Sequence, residues 1–334
     1  MKTLRCGVIG LGRLGYRHAS NLVSRVANAE LIAVCDGSLE ALQRFSHAFP
    51  QVPTYLQYEE LLAIKELDAV IIASSTTMHA RMIEAALLAK KAVFCEKPLS
   101  MDVEEAKKIK TLVDASGMFL QLGFMRRFDT GYLRAKQKID SGELGQPVSI
   151  LGISRDPSCP PLSFASTSGG LIMDLCVHDF DLCRYFLQSE ATEVYARGGV
   201  VRYEQLKGVS DIDHVNIDIR FENGKLASLE GSRNSQYGYD VRTEVICSEG
   251  ASFIGRICES DVTFFGGKGM NCETVPGFLE RFSQAYLHEL ECFVSDVLEN
   301  RKPSVGVDDG LAALILAVAS NESLQTNKPV RVSR

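Results

Sequence analysis

Three glycines near the start of the chain limit what its N-terminal part can fold into. Residues 7–15 read GVIGLGRLG, so Gly10, Gly12 and Gly15 follow an apolar run and precede a stretch with the pattern of an amphipathic helix. The next apolar run, LIAVCD, ends at Asp36, which is 21 positions after Gly15. A strand, a glycine turn, a helix and a second strand that ends in an acidic residue form the fingerprint of a dinucleotide-binding βαβ unit.

Each glycine of this fingerprint has a physical task. Gly10 permits the tight turn, Gly12 lets the backbone approach a pyrophosphate, and Gly15 allows the helix to pack closely on the strand. The N-terminus of the helix offers unpaired N–H groups and the positive end of its dipole to the phosphates. The sequence therefore predicts a dinucleotide site at this turn.

Asp36 and its surroundings indicate which dinucleotide is bound. A carboxylate at Asp36 would accept hydrogen bonds from the adenosine ribose hydroxyls and repel a 2′-phosphate, so NAD is favoured over NADP. An ordinary turn aspartate is the alternative. Arg13 and Leu14 complete the predicted cofactor site, with Arg13 as a candidate phosphate ligand. Arg44 lies too far along the chain to be assigned as a 2′-phosphate clamp from the sequence.

The order of apolar and amphipathic segments predicts an α/β protein with two domains. Up to about Phe124, the strand-like runs LRCGVIG, ELIAVCD, AVIIAS, AVFCEK and FLQLGF alternate with helix-like stretches, which is typical of a Rossmann doubly wound parallel sheet. Longer β-type runs and an Asn-Gly turn at residues 223–224 follow. They predict an α+β domain with an open, mostly antiparallel sheet. We therefore expect domains at residues 1–123 and 124–334.

Composition excludes several classes of function. The 334 residues carry a formal net charge of -6, so the chain lacks the basic surface that nucleic acids or anionic membranes require. No apolar segment approaches the roughly 20 residues of a membrane helix, and the first apolar run ends in the glycine turn rather than in a signal-peptide cleavage region. The ten cysteines are scattered singly. We expect reduced thiols in the cytoplasm, with neither a disulfide framework nor a metal site.

Two further stretches are predicted to lie at the carboxyl edge of the parallel sheet, where open α/β folds bind ligands. In SSTTMHA, the side chains of Ser74, Thr76 and His79 are candidates for lining the nicotinamide half of the cofactor site. For His79, a local packing role is an equal alternative. In FCEKPLS, Glu96 and Lys97 end the fifth strand and are also assigned to the cofactor site.

A second polar pattern occurs in GGLIMDLCVHDFDLCRYF, residues 169–186. Asp174 and His178 are four positions apart, so on a helix they lie on the same face. Taken alone, such a pair stabilises a helix more often than it forms a catalytic dyad. The apolar residues around the pair predict partial burial.

These motifs, together with GFMRRFD at residues 123–129 and RFSQAY at residues 281–286, resemble the family of glucose-fructose oxidoreductase, inositol dehydrogenase and MocA. The resemblance covers nearly the whole chain and is greatest to the inositol 2-dehydrogenases. It implies a Rossmann domain that binds NAD, followed by a substrate-binding α/β domain. The open sheet of that second domain often mediates formation of a dimer or tetramer, so a homo-oligomer, with a homotetramer as one form, is expected.

The resemblance places the Lys of the family's E-K-P motif at Lys97, and its Asp-x-x-x-His motif at Asp174 and His178. Oxidising a secondary alcohol needs a hydride acceptor and a base, and an imidazole suits the second task. We therefore expect His178 to act as the base and Asp174 to orient it or to bind a neighbouring hydroxyl. Lys97 would stabilise the developing alkoxide.

A polyol substrate requires many hydrogen-bonding groups. The candidates are Arg127, Arg155, Asp156 and Tyr237, with Tyr239 beside them. The RDP segment that contains Arg155 departs from the Asn- or His-containing versions of the family, so the particular substrate stays open.

Other charged residues of these stretches have structural interpretations. Interdomain salt bridging is the alternative for Arg127 and also for Arg126. Asp179 and Asp181 are expected to cap a helix or to pair locally rather than to contact substrate.

The leading hypothesis is an NAD-dependent dehydrogenase that converts a secondary hydroxyl of a cyclic polyol or sugar to a ketone, with myo- or scyllo-inositol first. One alternative is an NADP-dependent sugar or dihydrodiol dehydrogenase. The other is a non-catalytic NAD-bound sensor, against which the set of Lys97, Asp174 and His178 argues.

Overall fold

A six-stranded parallel sheet forms the centre of the first of two units in the computed structural model, which describes residues 2–267 and 269–333. The first unit consists of the chain up to Met125 together with Gln284–Leu314, and the second of Arg126–Ser283 together with the chain from Ile315 onwards. The ranges 1–123 and 124–334 expected from the sequence differ from this division because Gln284–Leu314 is part of the first unit.

The elements up to residue 123 are β1 (Leu4–Ile9), α1 (Arg13–Ser24), β2 (Ala29–Cys35), α2 (Leu39–Ala48), β3 (Thr54–Tyr55), α3 (Tyr58–Leu62), β4 (Ala69–Ile72), α4 (Thr76–Leu88), β5 (Ala92–Glu96), α5 (Val103–Ser116) and β6 (Leu120–Gly123). The remaining helices and strands are α6 (Thr130–Asp140), β7 (Pro147–Arg155), α7 (Leu162–Ala165), α8 (Val177–Leu187), β8 (Ala191–Gly199), β9 (His214–Phe221), β10 (Leu226–Ser232), β11 (Asp240–Cys247), β12 (Ala251–Gly255), β13 (Phe264–Gly266), β14 (Gly269–Asn271), α9 (Phe278–Arg281), α10 (Ser283–Leu298), α11 (Val307–Thr326) and β15 (Val330–Arg331).

The sheet of the first unit has the strand order β3-β2-β1-β4-β5-β6, and all neighbouring strands are parallel. This confirms the predicted doubly wound sheet. The central strand β4 is buried along its whole length, as expected for a strand covered on both faces. The order reverses between β1 and β4, so their carboxyl ends border the crevice where such folds bind ligands.

Helix α10 supplies part of the core of the first unit. Its buried residues Leu287, Leu290, Phe293 and Val294 belong to the same hydrophobic cluster as the residues of β1 and α1. The Phe293 ring lies 5.8 Å from that of Phe94 on β5, edge to face. Burial of this apolar face explains why a helix so late in the chain is part of the N-terminal unit.

The second unit contains a seven-stranded sheet of order β12-β11-β7-β10-β9-β8-β15. Only the pair β10 and β7 is parallel within it, which confirms the predicted open, mostly antiparallel sheet. Helix α8 covers one face, since Ser154 on β7 donates a hydrogen bond to Asp179 of that helix. The opposite face exposes large apolar side chains such as Leu151 and Phe253.

One expectation about the cysteines is wrong. Cys258 and Cys272 form a disulfide with Cα atoms 5.9 Å apart, whereas eight cysteines are free. The two partners flank the hairpin of β13 and β14, whose strand pairing brings residues 14 positions apart together. A separation of that length matches no short cysteine motif, so the sequence pattern did not indicate the pair.

Across the residues that the structure describes, no helix combines the length and the apolar composition that crossing a bilayer requires.

Replacing Phe293 with Ala is expected to lower the free energy of unfolding of the first unit by about 3–5 kcal/mol, because it leaves a cavity between α10 and β5. Denaturant unfolding followed by circular dichroism measures this loss. The control is Leu88→Ala on the exposed side of α4, which is expected to change the free energy by less than about 0.5 kcal/mol. Equal effects of the two substitutions would contradict the placement of α10 in this core.

Candidate active site

The glycine turn has the shape of a cradle for a pyrophosphate. Gly10 has φ +96°, and a Cβ there would lie 2.5 Å from the carbonyl oxygen of Ala73. A Cβ on Gly15 would lie 1.9 Å from the carbonyl oxygen of Gly10, so α1 packs against the turn only without a side chain at this position. A Cβ on Gly12, the residue that precedes α1, would meet open space. The turn therefore leaves room for a ligand beside the backbone N–H groups that begin α1.

Asp36 follows β2 and is fixed beside this turn. Its carboxylate accepts hydrogen bonds from the backbone N–H of Leu11, at 2.6 Å, and of Ser38, at 2.7 Å. The second bond is the local contact of a turn aspartate, whereas the first joins Asp36 to the glycine turn. A carboxylate held at this place suits the ribose hydroxyls of a dinucleotide.

Arg44 on α2 also reaches the glycine turn, which its distance along the chain did not indicate. Its Nη2 donates a hydrogen bond to the carbonyl oxygen of Leu11, at 2.8 Å, and its guanidinium lies 5.5 Å from the centre of the Tyr16 ring. Arg13, the first residue of α1, is exposed, and Leu14 is half-buried.

The loop between β4 and α4 lies against the glycine turn, since Ala73 meets Gly10. Ser74 and Thr76 in this stretch are half-buried. His79 is buried, with Nδ1 2.8 Å from the carbonyl oxygen of Pro98 and Nε2 3.2 Å from that of Ser74. Burial lowers the pKa of His79. These contacts favour the local packing interpretation of His79, because its ring joins two loops from inside the unit.

Glu96 and Lys97 end β5 with different surroundings. Lys97 is half-buried and precedes Pro98 through a cis peptide bond. The Glu96 carboxylate is buried and lies 2.7 Å from Nε2 of His18 on α1. Because this carboxylate faces the interior of the unit, the structure weakens the prediction that the Glu96 side chain binds the cofactor.

In the second unit, Asp174 and His178 do not share one regular α-helix as the sequence pattern suggested. Asp174 lies in a π-helical turn, Ile172–Cys176, and His178 lies in α8, which continues directly from that turn. The wider turn changes the register between the two residues. Such π-helical turns occur frequently at functional sites. Asp174 is half-buried, and His178 is buried.

A buried ion pair holds the start of this helical segment. Asp211 accepts a hydrogen bond from the backbone N–H of Leu171, at 2.8 Å, and pairs with Arg233. A Cβ on Gly170, which has φ +79°, would lie 2.7 Å from the same carboxylate. Asp211 and Arg233 belong to no sequence motif and were not predicted, and the double glycine before the helix was the only local signal of this close approach.

A second buried pair fixes α8 beside His178. Asp179 accepts a hydrogen bond from Arg126, at 2.7 Å, and Arg126 also donates to Ser154 on β7, at 3.0 Å. Arg127 forms two hydrogen bonds with Asp181, at 2.8 Å and 2.5 Å. Asp179 and Asp181 thus pair with arginines 53 and 54 positions away rather than locally. Both arginines form salt bridges, but these lie within the second unit and do not join two domains.

The structure brings together two of the predicted substrate-binding residues. Arg155 at the end of β7 donates hydrogen bonds to the Tyr237 hydroxyl, at 2.8 Å, and to Glu230, at 2.8 Å and 2.6 Å. The bonds from Arg155 lower the pKa of Glu230. Tyr237 in turn donates to Asp240, at 2.6 Å. The result is a charged network that includes a half-exposed tyrosine.

Asp156 and Tyr239 differ from this pair in their surroundings. Asp156 is half-buried, and its backbone bonds to Ser232 and Ser235 close the loop after β10. Tyr239 is buried with its ring 6.3 Å from that of Phe282. Its burial in the core argues against a role in substrate contact.

The glycine turn, Asp36 and the parallel sheet define an NAD-binding Rossmann protein. Two family models match the chain: an oxidoreductase family with an NAD-binding Rossmann fold over residues 4–124, and the GFO/IDH/MocA C-terminal domain over residues 132–252. The chain belongs to the GFO/IDH/MocA family of oxidoreductases.

Several members of this family are similar over their full length. The scyllo-inositol 2-dehydrogenase (NAD(+)) of Bacillus subtilis is 37% identical, with 98% of this chain and 96% of that protein covered. The myo-inositol 2-dehydrogenase of Thermotoga maritima is 36% identical, with 98% of each covered. Among solved structures, scyllo-inositol dehydrogenase from Lactobacillus casei with bound NAD(H) and scyllo-inositol has a TM-score of 0.95 at 33% identity and covers 100% of both chains.

Replacing Asp36 with Ala is expected to weaken NAD binding about 10-fold or more while changing NADP binding much less, because charged hydrogen bonds to the ribose are lost and the repulsion of a 2′-phosphate disappears. Calorimetric titration with both cofactors measures the ratio. Glu40→Ala, an exposed acid in the first turn of α2, is the control with an unchanged ratio expected. An unchanged ratio in Asp36→Ala would remove this carboxylate from the ribose site.

Proposed function

We propose that this chain is an NAD-dependent dehydrogenase that oxidises a secondary hydroxyl of a cyclic polyol to the ketone, with scyllo- or myo-inositol as the first substrates to test. The observation that carries this proposal is the likeness of the entire chain to inositol 2-dehydrogenases, one of which has both NAD(H) and scyllo-inositol bound. A match confined to the Rossmann unit would support only the cofactor.

The proposed chemistry assigns a role to each of three side chains. His178 accepts the hydroxyl proton as general base, since an imidazole exchanges protons near neutral pH. Asp174 orients that imidazole or binds a neighbouring hydroxyl. Lys97 stabilises negative charge on the reacting oxygen. NAD supplies the acceptor for the hydride, and the protein supplies binding and orientation.

The second unit offers hydrogen-bonding groups that suit a polyol. We assign Arg155, Asp156 and Tyr237 to substrate recognition, and the half-exposed Tyr237 hydroxyl is held in place by Arg155 and Asp240. Arg127 stays a predicted substrate ligand, but its bonds to Asp181 favour a supporting role.

Use of NADP on a sugar or dihydrodiol is the second candidate, and Arg44 is the observation that favours testing it. This guanidinium lies at the glycine turn, where a 2′-phosphate would need a cation. The carboxylate of Asp36 lies at the same turn and would repel a 2′-phosphate, which opposes the use of NADP.

A sensor without catalysis is the third candidate. Two buried ion pairs fix the segment that carries Asp174 and His178, and this argues against a sensor, because a catalytic site requires side chains held in fixed positions.

We further propose that copies of the chain assemble into a homo-oligomer, a dimer or tetramer, through the exposed face of the seven-stranded sheet. Leu226 on β10 and Leu151 on β7 are exposed there, and Leu151 and Phe253 both lie opposite Glu244 of β11 in the strand register. An apolar face of this kind is typical of a protein interface. We also propose a cytoplasmic location, because eight of the ten cysteines are free thiols, the state that a reducing compartment maintains; the disulfide between Cys258 and Cys272 is the observation that counts against it.

Replacing His178 with Ala is expected to lower turnover by a factor of about 100 or more while NAD affinity changes by less than about two-fold, because a general base contributes on that scale. The rate of NADH formation with a panel of inositols and sugars measures turnover, and calorimetry measures NAD binding. His214→Ala on β9 is the matched control with unchanged turnover expected. Equal losses of turnover and NAD affinity would show that His178 is structural, and NAD binding without turnover in the unmodified protein would favour the sensor.

Replacing Phe253 with Asp is expected to shift the chain toward the monomer in sedimentation velocity, because it places a charge in the proposed interface. Val201→Asp, at another exposed apolar position of the second unit, is the control with an unchanged sedimentation coefficient expected. An unchanged oligomer in Phe253→Asp with an intact circular dichroism spectrum would exclude this face.

A further inference from the structure

Three ionisable side chains meet in the interior of the first unit, apart from the residues assigned to catalysis. They are His18 on α1, Glu96 at the end of β5 and Glu289 on α10, and all three are buried. One nitrogen or oxygen atom from each lies within 4.8 Å of the others. His18 Nε2 and Glu96 Oε1 are 2.7 Å apart, which is a hydrogen-bond distance. We call this group the His18–Glu96–Glu289 cluster.

In the part of the chain that the structure describes, the groups that face Glu289 provide neither a hydrogen bond nor the charge of a Lys or Arg to its carboxyl group. From β6, Gln121 donates a hydrogen bond to the backbone carbonyl of Glu289 rather than to its side chain. Among the described residues, neither carboxyl oxygen of Glu289 has a hydrogen-bond partner, and no Lys or Arg pairs with Glu289 or Glu96. Of the three side chains, only His18 can carry a positive charge, and its Nε2 already contacts Glu96.

A count of charges indicates how many protons the cluster holds. The imidazole of His18 offers at most one positive charge, which offsets the charge on Glu96. An ionised Glu289 would then be an uncompensated anion in the interior, which is strongly unfavourable. Burial first, and the charge on Glu96 second, raise the pKa of Glu289 well above its ordinary value of 4.5.

We propose that the His18–Glu96–Glu289 cluster holds one buried proton on its pair of carboxyl groups, with Glu289 as the neutral acid, and that it positions Lys97. Glu96 directly precedes Lys97, so a fixed Glu96 side chain fixes the backbone that carries the lysine. The carboxylate of Glu96 also fills the space above Gly123 on β6, where a Cβ would lie 2.8 Å from Oε2. Its bond to His18 ties the end of β5 to α1, the helix that begins at the glycine turn.

The interatomic distances favour a proton over a metal ion. Zinc with bonds of about 2.0 Å in a tetrahedron holds its ligand atoms about 3.3 Å apart. The 2.7 Å between His18 Nε2 and Glu96 Oε1 is shorter and suits a direct hydrogen bond. The distance therefore favours a proton, and metal analysis of the purified protein tests the alternative of a bound metal ion.

The pH dependence of stability tests the proton on Glu289. An unfolded glutamate releases its proton above about pH 4.5, whereas the folded Glu289 keeps it. The contribution of this proton to the free energy of unfolding is therefore complete below about pH 4.5, and it declines as the pH rises toward the pKa of the folded Glu289. Glu289→Gln imitates the neutral acid and does not titrate.

We expect the unfolding equilibrium constant of the unmodified protein, relative to that of Glu289→Gln, to rise with pH above about pH 5, by up to about 10-fold per pH unit, until the pH reaches the pKa of the folded state. Thermal and urea unfolding over this range measure the ratio. Glu291→Gln, an exposed acid on the same helix, is the matched control with no such trend expected. A ratio for Glu289→Gln that does not change with pH would overturn the proposal.

Two spectroscopic and analytical measurements address the proton directly. The infrared spectrum of the unmodified protein at neutral pH is expected to show the carbonyl band of a protonated carboxylic acid, and this band is expected to disappear in Glu289→Gln. Persistence of the band in the variant would assign it elsewhere and overturn the proposal. A stoichiometric divalent metal in the purified protein, lost in Glu289→Gln, would overturn it in favour of a metal site.

The positioning of Lys97 is tested by its rate of acylation with an amine-reactive reagent, read by mass spectrometry. Glu289→Leu removes the acid and is expected to change this rate several-fold, whereas Glu289→Gln is expected to preserve it. Equal rates in both variants and the unmodified protein would overturn the positioning role. The importance of Lys97 rests on the proposed function, but none of these measurements requires turnover, so failure of one idea is distinguishable from failure of the other.

Discussion

The first unit depends on the close approach of α1 to the glycine turn. With a Cβ on Gly15 only 1.9 Å from the carbonyl of Gly10, any side chain there would force the helix away from the sheet. The N–H groups at the start of α1 would then no longer point into the turn. Gly10 has its own close neighbour in Ala73, so the same packing fixes the loop after β4. Cofactor binding in this fold therefore depends on close backbone packing at the glycine turn, because that packing places the N–H groups that contact the cofactor.

Polar contacts near the glycine turn hold the residues on both sides of Lys97. His79 joins the carbonyl of Ser74 to that of Pro98, and Glu96 joins the other side of the same segment to His18 on α1. Lys97 thus lies between two anchored neighbours. In the second unit, two buried Arg–Asp pairs hold the segment that carries Asp174 and His178. Buried pairs add little net stability because their desolvation is costly, but loss of one partner is strongly unfavourable, so they hold a segment in one position.

Much of the fold was predictable because its signals are local. The glycine spacing, the continuously apolar strands and the Asn-Gly turn each depend on a few neighbouring residues, and the structure agrees with both predicted sheets. The π-helical turn at Asp174 was not predictable, because a spacing of four residues does not specify the hydrogen-bond register. The disulfide of Cys258 required the pairing of β13 with β14, and the glycines in residues 266–269 indicate a turn but not which cysteines it brings together.

The residues of the site were predictable to different degrees. Lys97, Asp174 and His178 stood in recognisable motifs, but the partners that hold them did not. His18 and Glu289 are 271 positions apart and meet only after α10 has packed on the sheet. The inward direction of the Glu96 side chain was not predicted, since the sequence assigned Glu96 together with Lys97 to the cofactor site, and β5 is buried along its whole length.

The return of α10 to the first unit bears on how the protein is made. Domains generally fold from the N-terminus as they leave the ribosome, but here Leu290 and Phe293 complete a core whose strands were synthesised far earlier. The nascent Rossmann sheet therefore has an apolar face uncovered while six of the seven strands of the second sheet are translated. Molecular chaperones that shield such surfaces would be needed most during this interval.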